Sequence, residues 1–337
     1  MSYALFPILG CAITIFLNLF VPLAAIWSRL PRQGKRKPVA WWVVALVSML
    51  LSHGGISIGN HRYFSHRSFE IPSFTGKLFL ASLSALTLQG SPVYWAAQHR
   101  LHHRHCEQTL DPHSPTHGFW HAHGGFLTGL TGPTVDTHPE FSMHVVADLA
   151  ADPDLAWFFE RGALGGAVML PLSAAVLTPL VVASFGGWHA ALWYLHMPQF
   201  IAWHSTLSVN SATHTFGYGL PGVLPGSCQA RNVPWLWGVL LGEAWHANHH
   251  AAPHLTSMGD EERWWELDPQ FQVLRLFERL GLVKDVRKAA PPAASSGRLG
   301  AAEACCALQM FVPAAMTVMY CFLWRSRVNM HANTKTA

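Results

Sequence analysis

The sequence predicts an all-α integral membrane protein, in which four transmembrane helices carry histidine-rich helical blocks that hold a dimetal site. Three observations lead there. Half of the 337 residues are hydrophobic and only 12% are charged, roughly half the charged fraction of a soluble globular chain. Four apolar segments reach about 20 residues, the length that crosses a bilayer core of about 30 Å at 1.5 Å per residue. Histidine, at 22 residues, equals lysine and arginine combined. This composition excludes a disordered chain, a fibrous repeat and a small disulfide scaffold. The net charge of +4 is modest, and no basic run interleaves with aromatics, so nucleic acid is not an expected partner.

The first span covers about 5–27 and reads as an uncleaved membrane segment, because no basic residue precedes its apolar run. A loop at 28–38 follows with Arg29, Arg32, Lys35, Arg36 and Lys37; its charge alone would place it in the cytosol. The second span is about 39–59. A polar, histidine-rich block fills 60–160, and within it 74–97 mixes apolar residues with Lys77, Gln89 and Pro92, which suits a helix lying at the membrane interface. The third and fourth spans run over about 163–185 and 188–209, and a second histidine-rich block covers 210–288. Residues 1–288 thus read as one membrane domain. The stretch 289–303 is a linker by its Ala, Pro and Ser content. Beyond it, 304–337 forms an apolar tail helix that either spans the bilayer at 304–324 or lies on it. The six cysteines fall in no paired spacing and are expected as free thiols.

Three histidine clusters share a form: His61-Arg-Tyr-Phe-Ser-His66, His99-Arg-Leu-His102-His103 and His246-Ala-Asn-His249-His250. At 100° per residue, positions i+3 and i+4 fall about 60° to one side and 40° to the other of position i. Three imidazoles on such a helix share a face yet diverge enough to serve two metals. The first cluster differs: i and i+5 lie about 140° apart on an α-helix, so His61 and His66 either reach different metals or straddle a helix end. Asn210 and His214, at i and i+4, share a face. Nine histidines are too many for one ion, which takes three or four protein ligands in a zinc site, and natural for two. A neutral all-imidazole set suits iron, copper or zinc. Each ring needs an acceptor on its other nitrogen to fix its tautomer, and Glu107, Asp111 and Glu243 are placed near the clusters for that role. His53, His189, His196 and His204 are expected to pack or hydrogen-bond within or beside spans. The remaining histidines, among them His113 and His123, are expected as supporting or surface groups.

Read together, Gly59-Asn-His-Arg-Tyr-Phe-Ser-His-Arg-Ser-Phe69, Trp95-Ala-Ala-Gln-His-Arg-Leu-His-His103, Asp111-Pro-His113, Gly118-Phe-Trp-His-Ala-His123, Asn210-Ser-Ala-Thr-His214 and Gly242-Glu-Ala-Trp-His-Ala-Asn-His-His250 resemble the membrane fatty-acyl desaturases, stearoyl-CoA (Δ9-type) in particular. The resemblance spans 39–288 in the family's order. It implies two non-haem irons held by His61, His66, His99, His102, His103, His214, His246, His249 and His250, with Asn210 acting through a bound water, and these nine rings as the catalytic set. It implies four spans with the metal-bearing cap in the cytosol, against the charge of the 28–38 loop. It also implies that Trp95 shapes the acyl channel.

The activity implied is O2-dependent cis desaturation, Δ9-type, of a long fatty acyl chain at an unactivated methylene pair. The substrate's carrier is CoA, acyl-carrier protein or a membrane lipid. The family's acyl-CoA members carry Arg-Asp before the second cluster, where this chain has Ala97-Gln98, and basic residues in a region where this chain has none from 105 to 160. That departure disfavours CoA, whose phosphates call for Arg or Lys. Without a His-Pro-Gly-Gly haem motif, electrons are expected from a separate donor of cytochrome b5, ferredoxin or rubredoxin type. Zinc has no redox chemistry, but it binds imidazole more tightly than Fe2+ and is expected as an occupant in overexpressed protein. The alternatives are a hydroxylase or acetylenase on the same scaffold and, less favoured, a non-redox membrane zinc hydrolase or receptor.

Overall fold

The computed structural model describes residues 16–29, 39–128, 138–155, 178–185, 187–220, 222–260 and 262–288. Most of the expected third span, the linker and the tail helix lie outside the described residues. Within them the chain is helical; its only extended pairings are isolated bridges such as Glu70 with Lys284 and Asn232 with Tyr218 and Trp245.

A short π-turn, Phe16–Phe20, leads into α1, Val21–Arg29. Helix α2 covers Trp41–Ser65, 25 residues, and is the single described helix both long and apolar enough to cross a membrane. Its first part, Trp41–Met49, is α-helical, and Leu50–Ser65 is wound as a wider π-helix. Helix α3 is Phe74–Ala85 and α4 is Pro92–His105. Short helices α5 (Phe119–Ala122) and α6 (Ala147–Ala150) follow, then α7, Thr178–Phe185. Helix α8 runs unbroken through Trp188–Ala191, a π-segment Leu192–His196, and Met197–Ser211. It corresponds to the expected fourth span, and His189, His196, Gln199 and His204 dilute its apolarity. Three elements complete the described chain: α9 (Trp237–Leu240), α10 (His246–Ala251) and α11 (Pro269–Arg279).

The stretch 74–97, expected as one interfacial helix, is two helices. The break falls where Leu88 and Gly90 take positive φ of 61° and 91°. Ser91 then caps α4, accepting from the Tyr94 N–H, with Pro92 in the first turn, the position where a missing N–H costs nothing. Ser73 caps α3 in the same way through Gly76.

Helices α2 and α3 approach closely because Gly55 and Gly59 face α3. A Cβ on Gly59 would collide with the Ser84 hydroxyl, and one on Gly55 would sit 2.8 Å from the Leu83 carbonyl oxygen. The Ser84 hydroxyl donates to the Gly55 carbonyl at 2.8 Å across this contact. Below it, Tyr63, Phe64 and Phe69 pack with Leu80, Ala96, Leu149, Phe271 and Leu274 in the largest apolar core. Arg100 ties the second cluster to the first. Its guanidinium donates to the Ser65 and Phe64 carbonyls at 2.8 and 3.0 Å and pairs with Asp148. On the other side, Trp193 of α8 packs on Ala25 of α1 and Val44 of α2.

Candidate metal centre

All nine cluster histidines come together in two groups, buried except for the half-buried His66 and His103. His61, His66, His99, His103 and His249 form one; His102, His214, His246 and His250 form the other. The helical arithmetic accounts for the split. On α4 the i and i+4 rings, His99 and His103, join the first group while His102, at i+3, joins the second. On α10 the allocation is reversed: His246 and His250 join the second group and His249 the first. His61 and His66 were expected either to reach different metals or to straddle a helix end. They enter the same group, at the end of the π-helix. A π-helix bonds i to i+5, and the His66 N–H donates to the His61 carbonyl at 3.2 Å. That winding brings the two rings to a centroid separation of 5.0 Å.

The rings turn Nε2 inward. His61 Nε2 lies 2.9 Å from His249 Nε2, and His66 Nε2 2.9 Å from His99 Nε2. His246 Nε2 lies 3.0 Å from His214 Nε2 and 3.1 Å from His250 Nε2. Outward, three of the Nδ1 atoms meet acids, and the three carboxylates singled out from the sequence are the ones found. His61 Nδ1 donates to Glu243 at 2.7 Å, His102 Nδ1 to Asp111 at 2.9 Å and His214 Nδ1 to Glu107 at 2.6 Å. A neutral ring that donates from Nδ1 keeps a bare lone pair on Nε2. Bare lone pairs converging at about 3 Å repel one another unless a cation lies among them. His102 Nε2 is moreover buried without a hydrogen-bond partner. The donor set therefore fits metal ions at both groups.

The site is electrostatically prepared for cations. Burial, then the neighbouring imidazoles, hold His66, His99, His102, His103, His246, His249 and His250 well below the usual histidine range. These rings are neutral at pH 7 and can ligate. Burial would raise the Glu243 carboxyl, but His61 and Arg62 outweigh it and hold it down to about 2.

Sequence reasoning missed several supporting groups. Arg62, fully buried between His61 and Tyr63, pairs with Glu243 at 2.6 Å and Asp268 at 3.0 Å, and it also reaches the Ser57 hydroxyl. Cys106 and Cys228, expected as free thiols, form a disulfide. They meet because Glu107 accepts from the Gln229 N–H and the Ser227 hydroxyl donates to the Cys106 carbonyl, both at 2.7 Å. Cys228 Sγ then lies 3.2 Å from His250 Nδ1. His113 is buried with its ring 4.2 Å from that of His102.

Narrow cavities reach the first group. One is lined by Trp95, His99, Trp203, Thr206, Leu207 and Asn210 among others, and a second by His61, Trp95, His99, Thr206, Asn210 and Glu243. Trp95 stacks on His99 at 4.9 Å. Its indole N–H donates to Gln89 at 3.1 Å, and the Gln89 amide donates to the Thr206 hydroxyl at 3.0 Å. Asn210 lies on both cavity walls beside His99.

The family model for fatty acid desaturase matches residues 39–284. The chain is 34% identical over 249 residues to the sn-2 palmitoyl-lipid 9-desaturase of Nostoc sp. (strain 36), covering 72% of this chain and 80% of that protein. It is 33% identical over 252 residues to the sn-1 stearoyl-lipid 9-desaturase of Anabaena variabilis, covering 73% and 84%. It is also 31% identical over 285 residues to the hex-5-enoyl-[acyl-carrier protein] acetylenase of Moorena producens (strain JHB), covering 78% and 84%.

Proposed function

The chain belongs to the fatty acid desaturase family, and from that membership we propose that it introduces a cis double bond, Δ9-type, into a long acyl chain of a membrane lipid, using O2 at a di-iron centre. The observation that carries this reading is the pair of buried imidazole groups, Nε2 inward and carboxylates outward, at the end of a cavity walled by Trp95. His61, His66, His99, His103 and His249 would hold one ion, and His102, His214, His246 and His250 the other, with Asn210 acting through a water. Iron bound there supplies the redox chemistry with O2 that removes hydrogen from an unactivated methylene pair.

The chain's own residues do the rest. Glu243, Asp111 and Glu107 fix ring orientation and tautomer, an outer contact whose loss typically weakens metal binding 10–100-fold. The Trp95–Gln89–Thr206 hydrogen-bonded wall positions one carbon–carbon bond of the substrate and excludes water. An acyl-lipid carrier is favoured over CoA by two observations. Two relatives are named as lipid 9-desaturases, and no lysine or arginine lines either cavity among the described residues. The electron donor is a separate cytochrome b5, ferredoxin or rubredoxin type protein. Residues 1–288 form the membrane domain, multi-pass, with the metal centre on the cytosolic side where such donors occur. The acetylenase relative supports a second reading, removal of a further hydrogen pair from an existing double bond.

Expression in a host that lacks desaturation, followed by mass-spectrometric location of new double bonds, tests the proposal. A new cis olefin formed in air and not under nitrogen is expected. Absence of unsaturated product with iron, O2 and reductant supplied overturns it, and a triple bond would favour the second reading.

A further inference from the structure

A third cavity, of about 430 Å3, lies against α8 and is lined by Trp120, His123, Thr128, Trp203, His204 and Leu207 among others. It shares Trp203 and Leu207 with the cavity that leads to Trp95 and His99, so the two adjoin across those side chains. Trp120, 74% exposed, sits on its rim. Its lining is apolar except for Thr128 and the two imidazoles, and no charged side chain contributes.

The imidazoles belong to a hydrogen-bond chain whose direction is fixed at its buried end. The Ser211 hydroxyl donates to the Leu207 carbonyl at 2.7 Å, one turn back on α8. Its oxygen is then left to accept, and His123 Nδ1, 2.8 Å away, must donate. Burial, then the facing His204, holds the His123 ring below the usual histidine range and so neutral. In a neutral ring with its proton on Nδ1, Nε2 is a bare acceptor. His204 Nδ1 lies 3.2 Å from it and must therefore carry the proton. The last atom of the relay, His204 Nε2, is thereby left as a lone-pair acceptor with no partner among the described residues, on a ring that lines the cavity.

An acceptor in an apolar cavity selects for a donor, because leaving either partner unsatisfied there costs free energy. Ester carbonyls and phosphate oxygens only accept and gain nothing from it. Building on the desaturase reading above, we propose that His204 Nε2 recognises a free hydroxyl of an uncharged glycerolipid, so that this cavity is the headgroup subsite at the mouth of the acyl channel. Thioester carriers are disfavoured by the same lining, which offers their phosphates no cation.

The test compares lipids with identical acyl chains in mixed micelles: monogalactosyl diacylglycerol, diacylglycerol with its single hydroxyl, and phosphatidylcholine with none. His204→Leu removes the acceptor, and His204→Gln keeps one in its amide oxygen. His204→Leu is expected to raise KM for monogalactosyl diacylglycerol about tenfold, the worth of one good hydrogen bond, leave kcat and iron content unchanged, and leave phosphatidylcholine unaffected. His204→Gln is expected to recover most of the loss. A response shared by diacylglycerol assigns the contact to a glycerol hydroxyl, and one confined to the galactolipid assigns it to the sugar. Equal effects on all three lipids, no effect, or preferred turnover of a stearoyl thioester overturns the proposal. Calorimetric binding of monogalactosyl diacylglycerol to wild type and His204→Leu reads the same tenfold difference without turnover. It therefore judges the headgroup site even if no double bond forms, and that failure would fall on the desaturase reading alone.

Discussion

At the residue scale, the carboxylates behind the rings separate two jobs that a single histidine deletion would blur. Asp111 touches His102 and nearby backbone N–H groups, whereas Glu243 answers both His61 and the buried Arg62. Asp111→Asn and Glu243→Gln are each expected to lower metal affinity 10–100-fold by releasing a ring's tautomer, measured by metal content after desalting. Glu243→Gln also leaves Arg62 with Asp268 as its remaining carboxylate. Breaking a buried pair costs about 3–5 kcal/mol, so its thermal midpoint should fall well below that of Asp111→Asn. Equal midpoints would mean that Asp268 alone holds Arg62. His102→Ala and His249→Ala, one ring from each group, should both abolish activity and reduce bound metal. Trp95→Ala should retain iron while altering double-bond position or chain-length preference, since its indole touches His99 and Gln89 rather than an ion.

At the scale of elements, the close α2–α3 contact sets where the first histidine cluster emerges. Gly59→Val would drive a side chain into Ser84, forcing the helices apart just before His61. Overpacking of this kind costs about 1–3 kcal/mol, so a lower thermal midpoint in detergent is expected together with partial metal loss; an unchanged midpoint would show that the contact is loose. The two HxxHH clusters were legible in the sequence because α-helical periodicity alone divides their rings between the two groups. The HxxxxH cluster was not, since nothing in residues 50–65 announces a π-helix, and α-helical arithmetic left two placements open. The break between α3 and α4 was written in Gly90-Ser91-Pro92 but hidden by continuous apolarity. Arg62 with Asp268, and Cys106 with Cys228, are far apart in the chain, and only tertiary packing makes them partners.

For the whole molecule, an apolar outer band contrasts with a polar, histidine-rich interior. Outside, α1 and the first half of α2 expose Leu23, Ile26, Trp27, Trp41, Trp42 and Leu46, a band that suits lipid tails rather than water. Inside, seven of the nine cluster imidazoles are held neutral by burial. The acid sensitivity of the protein follows from these depressed imidazoles. An unfolded histidine protonates near pH 6.5, while the seven lowered rings resist protonation until far below that. Between those limits the unfolded chain binds more protons than the native one, so stability falls as pH falls. The contribution is complete above about pH 7 and is withdrawn progressively below about 6.5. The depressed Glu243 carboxyl acts in the same direction but in a separate window, between its ordinary 4.5 and about 2. The thermal midpoint, followed from pH 8 to 3, should therefore be level to about pH 7 and fall below about 6.5, with metal released as the fold is lost. Because several rings take up protons together on unfolding, the fall should be steeper than a single-proton titration. A protein that kept its metal down to pH 4 and lost it only below would place its weak point at the carboxylates, and the imidazole cage would not be what acid dismantles first.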